Sequence, residues 1–216
     1  TVSDHDNADL EEGTGFLDLR EFWLSFTPVD FVDIRAGRQI LTWGTGDLLF
    51  INDLFPKDWV SFFIGRDTEY LKAPSDAVKL ALFSDIVNLD LVYTPQFDAD
   101  RYITGERISY YNAGLRRIAG QDAIARTDQP DDVFDDDEIA LRVYKNIQGY
   151  ELALYYYRGF WKSPAGQNMF GKAIFPELEV PGASIRGIVF GGVANLEVGY
   201  MKSKDDSHGD NPMVRN

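Results

Sequence analysis

The sequence predicts an all-β fold, an antiparallel β-barrel that spans a membrane with about eight strands present, and three features predict it. Apolar residues recur with period two rather than 3.6 nearly everywhere they cluster. The connections between apolar segments alternate strictly between very short and very long. No apolar run approaches the roughly 18 residues of a membrane helix, which leaves any crossing of a bilayer to strands.

Taken in chain order, eight segments carry the alternation: residues 16–26, 31–43, 76–83, 86–93, 138–147, 150–158, 183–190 and 193–202. In the fourth, Val87, Leu89, Leu91 and Tyr93 are apolar while Asn88 and Asp90 are polar, giving one greasy face and one wet face. The same split sets Ile139, Leu141 and Val143 against Glu138 and Arg142. It recurs with Leu152, Leu154 and Tyr156 against Glu151, and with Leu196, Val198 and Tyr200 against Asn195 and Glu197. At about nine to eleven residues and a tilt of about 45°, such segments cross a bilayer core. Short turns at Thr27-Pro28-Val29-Asp30, Ser84-Asp85, Gln148-Gly149 and Gly191-Gly192 carry hairpin chemistry. Long connections over 44–75, 95–137 and 159–182 separate the hairpins. Compact soluble domains rarely do this, because their connections have a median near 4 to 6 residues. Outer-membrane barrels pair tight periplasmic turns with long outer loops as a rule.

Composition narrows the classes further. The 216 residues carry 35 acids against 21 Lys plus Arg, a net charge of −14, which sets nucleic acid aside as a partner. With 15 Phe, 11 Tyr and 4 Trp in a chain 44% hydrophobic, a disordered chain is excluded. The absence of cysteine excludes disulfides, zinc–thiolate sites and thiol catalysis. A mean hydropathy of −0.25 does not separate a soluble protein from a barrel, whose strands average greasy and wet residues. If the short turns are periplasmic, residues 1–15 and 203–216 read as outer loops, each adjoining a strand not represented. The expectation is therefore an incomplete single barrel domain over 1–216, with a closed eight-stranded barrel as the alternative.

The runs Leu19-Arg20-Glu21-Phe22-Trp23-Leu24-Ser25-Phe26 and Asp33-Ile34-Arg35-Ala36-Gly37-Arg38-Gln39-Ile40-Leu41-Thr42-Trp43-Gly44 resemble porin-like outer-membrane barrels of Gram-negative bacteria, similar to the alginate-export and phosphate-selective porins. Asn52-Asp53-Leu54-Phe55-Pro56 and Pro74-Ser75-Asp76-Ala77-Val78-Lys79-Leu80 add to the likeness, which covers roughly the first hundred residues. Beyond them only the strand rhythm agrees. The resemblance implies about 14 to 18 strands in the whole barrel and says nothing of the solute.

In such a barrel the wet face lines the lumen. Alternation assigns Glu21, Asp33, Arg35, Gln39, Lys79, Asn88, Asp90, Glu138, Arg142, Glu151, Asn195 and Glu197 to it, either as a field that selects solutes or as ordinary solvated and paired wall residues. Arg38 falls on the greasy side with Val32, Ile34 and Ile40, which calls for a bulge near Gly37 or a position at headgroup level. The face of Arg186 is left open between Ile185 and Ile188. The 44–75 loop is rich in Leu, Phe, Ile and Trp, so it either folds into the barrel or packs over its rim or against a neighbouring subunit. In the first case Asp53, Lys57, Asp58 and Arg66 stand near a constriction.

Other features carry less. The acidic run 128–138 lacks EF-hand spacing and reads as a solvated outer loop, with cation bridging to lipopolysaccharide as the sharper option. His5 and His208 lie in Asp-rich terminal segments and make a poor metal site. Tyr155, Tyr156, Tyr157, Phe160 and Trp161 fit an interfacial aromatic girdle. With no nucleophile, base and orienter in view, no enzyme activity, metal or cofactor is expected. The expected function is a bacterial outer-membrane porin or channel for passive diffusion of a small polar or charged solute, in contact with lipid and lipopolysaccharide, with homo-oligomerisation left open. The rivals are a barrel sheathing a partner such as an electron-transfer cytochrome, and a soluble β-sandwich binding module.

Overall fold

The computed structural model describes residues 17–44 and 48–206. Its strands are β1 (Phe22–Val29), β2 (Val32–Ile40), β3 (Pro74–Leu82), β4 (Asn88–Thr94), β5 (Tyr110–Asn112), β6 (Arg117–Ala119), β7 (Thr127–Asp128), β8 (Glu138–Ile147), β9 (Tyr150–Phe160), β10 (Gly166–Gln167), β11 (Ala173–Ile174), β12 (Glu177–Val189), β13 (Gly192–Gly199) and β14 (Lys202–Ser203). A one-turn helix α1 (Trp59–Phe63) and a 3₁₀ turn (Thr68–Leu71) lie in the first long connection. The histidines and the outer loop expected over 1–15 fall outside the described residues, as does most of the outer loop expected over 203–216.

Eight long strands form one antiparallel meander in the order β1-β2-β3-β4-β8-β9-β12-β13, with β14 paired to β12. All eight predicted segments become strands, and the short turns join them pairwise. Gln148-Gly149 and Phe190-Gly191 have positive φ at both positions, the backbone a twisted two-residue hairpin requires. The second of these lies one residue before the expected Gly191-Gly192. Strand β12 begins at Glu177, six residues before the expected start at 183, and runs through Pro181 and Gly182. Pro181 is tolerated there because the neighbouring strand is interrupted between β13 and β14, and Tyr200 N–H reaches the Pro181 carbonyl at 3.0 Å. The sheet is open, since β1 and β13 do not pair with each other.

The two faces of this sheet differ sharply in exposure. In β9, Ala153, Tyr155 and Tyr157 are 3–7% exposed, whereas Leu152, Leu154 and Tyr156 are 40%, 64% and 38% exposed. Register carries this bare face across the sheet: Leu24, Ala36 and Val78 align, as do Leu80, Leu91, Leu141 and Tyr156, then Leu154 and Ala183, then Val198. Charges on this face occur only at the ends of strands. Arg38, Asp76, Arg158 and Glu179 lie at the long-connection end and Lys145 at the short-turn end. No second long-stranded sheet packs on it among the described residues, which the sandwich alternative requires.

The other face is covered. Leu41 and Trp43, following β2, turn Phe55 and Leu54 onto Ala77, Val92, Ala140, Ala153, Tyr155, Tyr157, Leu178 and Val180, and this cluster is the hydrophobic core. It occupies the long-connection half of the covered face. Tyr155 and Tyr157 belong to it, which corrects their expected place in an aromatic girdle; of the three consecutive tyrosines only Tyr156 is on the bare face.

Candidate functional site

The short-turn half of the covered face is a charged wall, and every strand residue that alternation assigned to the lumen lies on this face. Arg35 pairs in register with Lys79, Asp90 with Arg142, and Glu151 with Arg186. Their side chains form a chain across β3, β4, β8 and β9: Lys79 Nζ to Asp90 at 3.9 Å, Arg142 to Asp90 at 3.9 Å and Arg142 to Glu151 at 2.7 Å. Arg142 stacks on Tyr144 at 4.1 Å, and Arg35 on Trp23 at 4.1 Å. The Arg186 pairing with Glu151 and Asn195 places it on the polar face. Asp33 accepts from Thr27, Asn88 lies near the β3–β4 turn, Glu197 accepts from Asn195, and Glu21 is exposed just before β1.

Three of the predicted wall residues are enclosed rather than open to water: Asp90, 5% exposed between Lys79 and Arg142, and the two described next. Gln39 is fully buried and donates to the Ala77 and Gly37 carbonyls. Glu138 accepts from Tyr157 and Lys162, both at 2.5 Å, beneath the connections at the other end. Arg38 keeps strict alternation without a bulge, because its guanidinium is held by Asp76 at 2.8 Å and the Leu19 carbonyl at 2.7 Å at the edge of the bare face.

The first long connection crosses the covered face. Asn52 donates to the Ala183 carbonyl at 3.3 Å and to Glu197 at 3.4 Å, far across the sheet from the strand that launches it. A methyl group at Gly182 would sit 2.0 Å from Asn52 Oδ1, so only glycine admits this approach. Of the four side chains expected at a constriction, three are interior fasteners. Lys57 Nζ bonds Asp53 at 3.1 Å and the Phe55 carbonyl at 2.6 Å, and Asp53 also accepts from Thr42 at 2.6 Å. Asp58 caps α1 through Ser61 N–H at 2.7 Å and accepts from Arg101. Arg66 alone of the four is exposed, stacked 3.9 Å over Tyr70.

Buried polar bonds lace the three long connections into one layer. Asp100 accepts from the backbone N–H of Lys57 (2.7 Å), Trp59 Nε1 (3.1 Å) and Ser163 Oγ (2.6 Å). Arg101 bridges Asp58 and Asp18, at 3.2 and 2.9 Å. Burial pushes Asp18 up, but the Arg101 hydrogen bond and charge outweigh it and hold its carboxyl below the ordinary 3.8. A carboxyl depressed in the fold stabilises above its unfolded pKa and loses that contribution as pH falls through the folded one. The connections are therefore expected to loosen as pH drops below 3.8. Amide exchange in residues 57–66 should rise there, and Asp18→Asn should remove that dependence.

Asp100, Arg101, Tyr157 and Lys162 had no signal in the sequence beyond being polar or aromatic residues in loops or strands. Asn52, Asp53 and Phe55 did stand in a run the sequence singles out, residues 52–56, and they belong to the part of the connection that seats on the covered face. The carboxylates of Asp131, Asp132 and Asp136 gather within 4.8 Å of one another in the exposed acidic run. Asp137 instead pairs with Arg158 at 2.6 Å. Among the described residues no helix is long and apolar enough to cross a membrane, which leaves strands untouched as membrane elements. No protein-family model, no curated protein and no solved structure matches the chain.

Proposed function

We propose that the chain forms the wall of an outer-membrane β-barrel channel through which small polar or charged solutes diffuse. The observation that carries this reading is the bare apolar face eight strands wide, with the charges of the strand interiors on the opposite face, half of which the first long connection covers. Soluble monomers leave at most a few hundred Å² of contiguous apolar surface exposed. Lipid is the solvent for which such a face is favourable, with charges only at the two ends where headgroups begin. In hydrocarbon the edges of β1 and β13 must be paired, so the reading includes further strands that close the barrel.

Function on this reading follows from the covered face. Solutes pass between the wall of Arg35, Lys79, Asp90, Arg142 and Glu151 and the connection anchored by Asn52, which narrows the space. The charged side chains of that wall set which ions enter. A sheath around a protein partner needs an open interior, and the crossing connection counts against it. The purified full-length protein is expected to require detergent and to conduct ions in a planar bilayer. Neutralising Arg35, Lys79 and Arg142 together should shift its ion preference. Monodispersity without detergent, with no conductance on addition to a bilayer, ends the reading.

A further inference from the structure

Above the long-connection ends of β3 and β4, the connections form a partly open cavity of about 390 Å³, within the range of small-molecule sites. Val60, Ile64, Phe97, Ile103 and Ile108 give it apolar walls. Six carboxylates and three guanidiniums line it. Partners outside or within the lining absorb part of that charge. Asp76 is held by Arg38, Asp58 by Arg101, and Asp100 by three neutral N–H and O–H donors. Arg101 is shared with Asp18, Arg66 is packed against Tyr70 and Ser61, and Arg107, at an exposed position, is engaged as well.

Three carboxylates are left without an ion pair among the described residues. Asp98 accepts only from Ser75 Oγ at 2.6 Å and Asp76 N–H at 3.1 Å, both at Oδ2. The nearby Lys162 ammonium is bound to Glu138 and to the Asp98 carbonyl instead. Glu106 and Asp131 complete the set, on two different segments of the lining. Burial pushes the Asp98 carboxyl up, against the Ser75 bond and the Lys162 charge, as for an anion short of a compensating cation.

We propose that this cavity is a binding site for a small organic polycation, a di- or polyamine whose ammonium groups meet Asp98, Glu106 and Asp131 at separate points of the lining while its hydrocarbon body lies on the apolar walls. The arrangement combines a partly open cavity, apolar on one part of its wall, with carboxylates that lack an ion pair among the described residues, and it neither requires nor follows from ion conduction. Binding is read by calorimetry on the full chain, with spermidine and 1,6-diaminohexane as probes and glucose and citrate as comparators. Both amines are expected to bind, more weakly as salt rises, and the comparators to give no heat. Asp98→Asn should weaken amine binding roughly tenfold or more, as loss of a charge-assisted hydrogen bond does. Glu106→Gln, at an exposed position where the fold does not depend on it, should weaken it several-fold even if Asp98→Asn fails to fold. No amine binding, equal binding of citrate or glucose, or amine affinity unchanged in Glu106→Gln overturns the proposal. Conductance measured on the same preparation reports on the channel reading separately.

Discussion

Leu154→Arg is expected to cost about 2–4 kcal/mol of folding stability in a bilayer, the penalty for a guanidinium on the lipid face near the midplane. Leu154 is 64% exposed and lies in register with Val143 and Ala183, with Leu152 and Tyr156 on either side along β9. The nearest charge on its face along the strand, Arg158, is four residues away, about 13 Å at the rise of a strand. If that face met water, an arginine there would change stability by no more than about 0.5 kcal/mol. The two solvents thus predict effects several-fold apart. Urea titration of the protein folded into phospholipid vesicles measures the difference. Val189→Arg, beside the short turn, should cost only about 0–1 kcal/mol. A flat profile across the two positions would remove the lipid-facing assignment.

Lys57→Ala is expected to release the crossing connection, at a cost of about 3–5 kcal/mol, because it leaves buried acceptors without their cation. The Lys57 ammonium is 4% exposed and serves Asp53 and two carbonyls, with the Phe50 ring 4.7 Å away. Without it, Asp53 keeps only Thr42 as a side-chain donor. Burial holds Lys57 below its ordinary 10.5 even beside Asp53, so the pair is expensive to bury and valuable mainly for what it aligns. Replacing both partners, Asp53→Asn with Lys57→Met, should therefore recover most of the loss. Limited proteolysis between residues 48 and 66 reports the release. Channel conductance should rise in the single variant and return toward wild type in the double. Protection unchanged in Lys57→Ala would show that the connection is held by its apolar contacts alone.

Which strands exist, and which side chains share a face, was largely legible in the sequence. Leu89 and Leu91, Leu141 and Val143, and Leu152 and Leu154 declare their parity because successive Cβ atoms on an extended chain must point to opposite sides. That is local covalent geometry, and it also placed Arg35, Lys79, Asp90 and Arg142 on one face. Parity alone did not settle Arg186, whose neighbours Ile185 and Ile188 disagree; pairing with Glu151 and Asn195 did. Parity from Leu152 and Leu154 separates Tyr156 from Tyr155 and Tyr157; the girdle reading follows the aromatic composition of the run instead, and the core on the covered face claims the latter two.

What only the tertiary structure decided is where the long connections go. The 44–75 segment is apolar enough to fold inward or to cover a rim, and composition does not choose between them. The choice rests on contacts such as Asn52 with Ala183 and Glu197, 131 and 145 residues apart in the chain. It also rests on Gly182, whose missing side chain makes room for one of them. The same holds for the polar residues of the wall. Alternation put Gln39, Glu138 and Asp90 on one face, but only the folded arrangement encloses each of them, Glu138 beneath Lys162 and Asp90 between Lys79 and Arg142. Period is a property of consecutive residues; enclosure is a property of segments that meet only after the chain has folded.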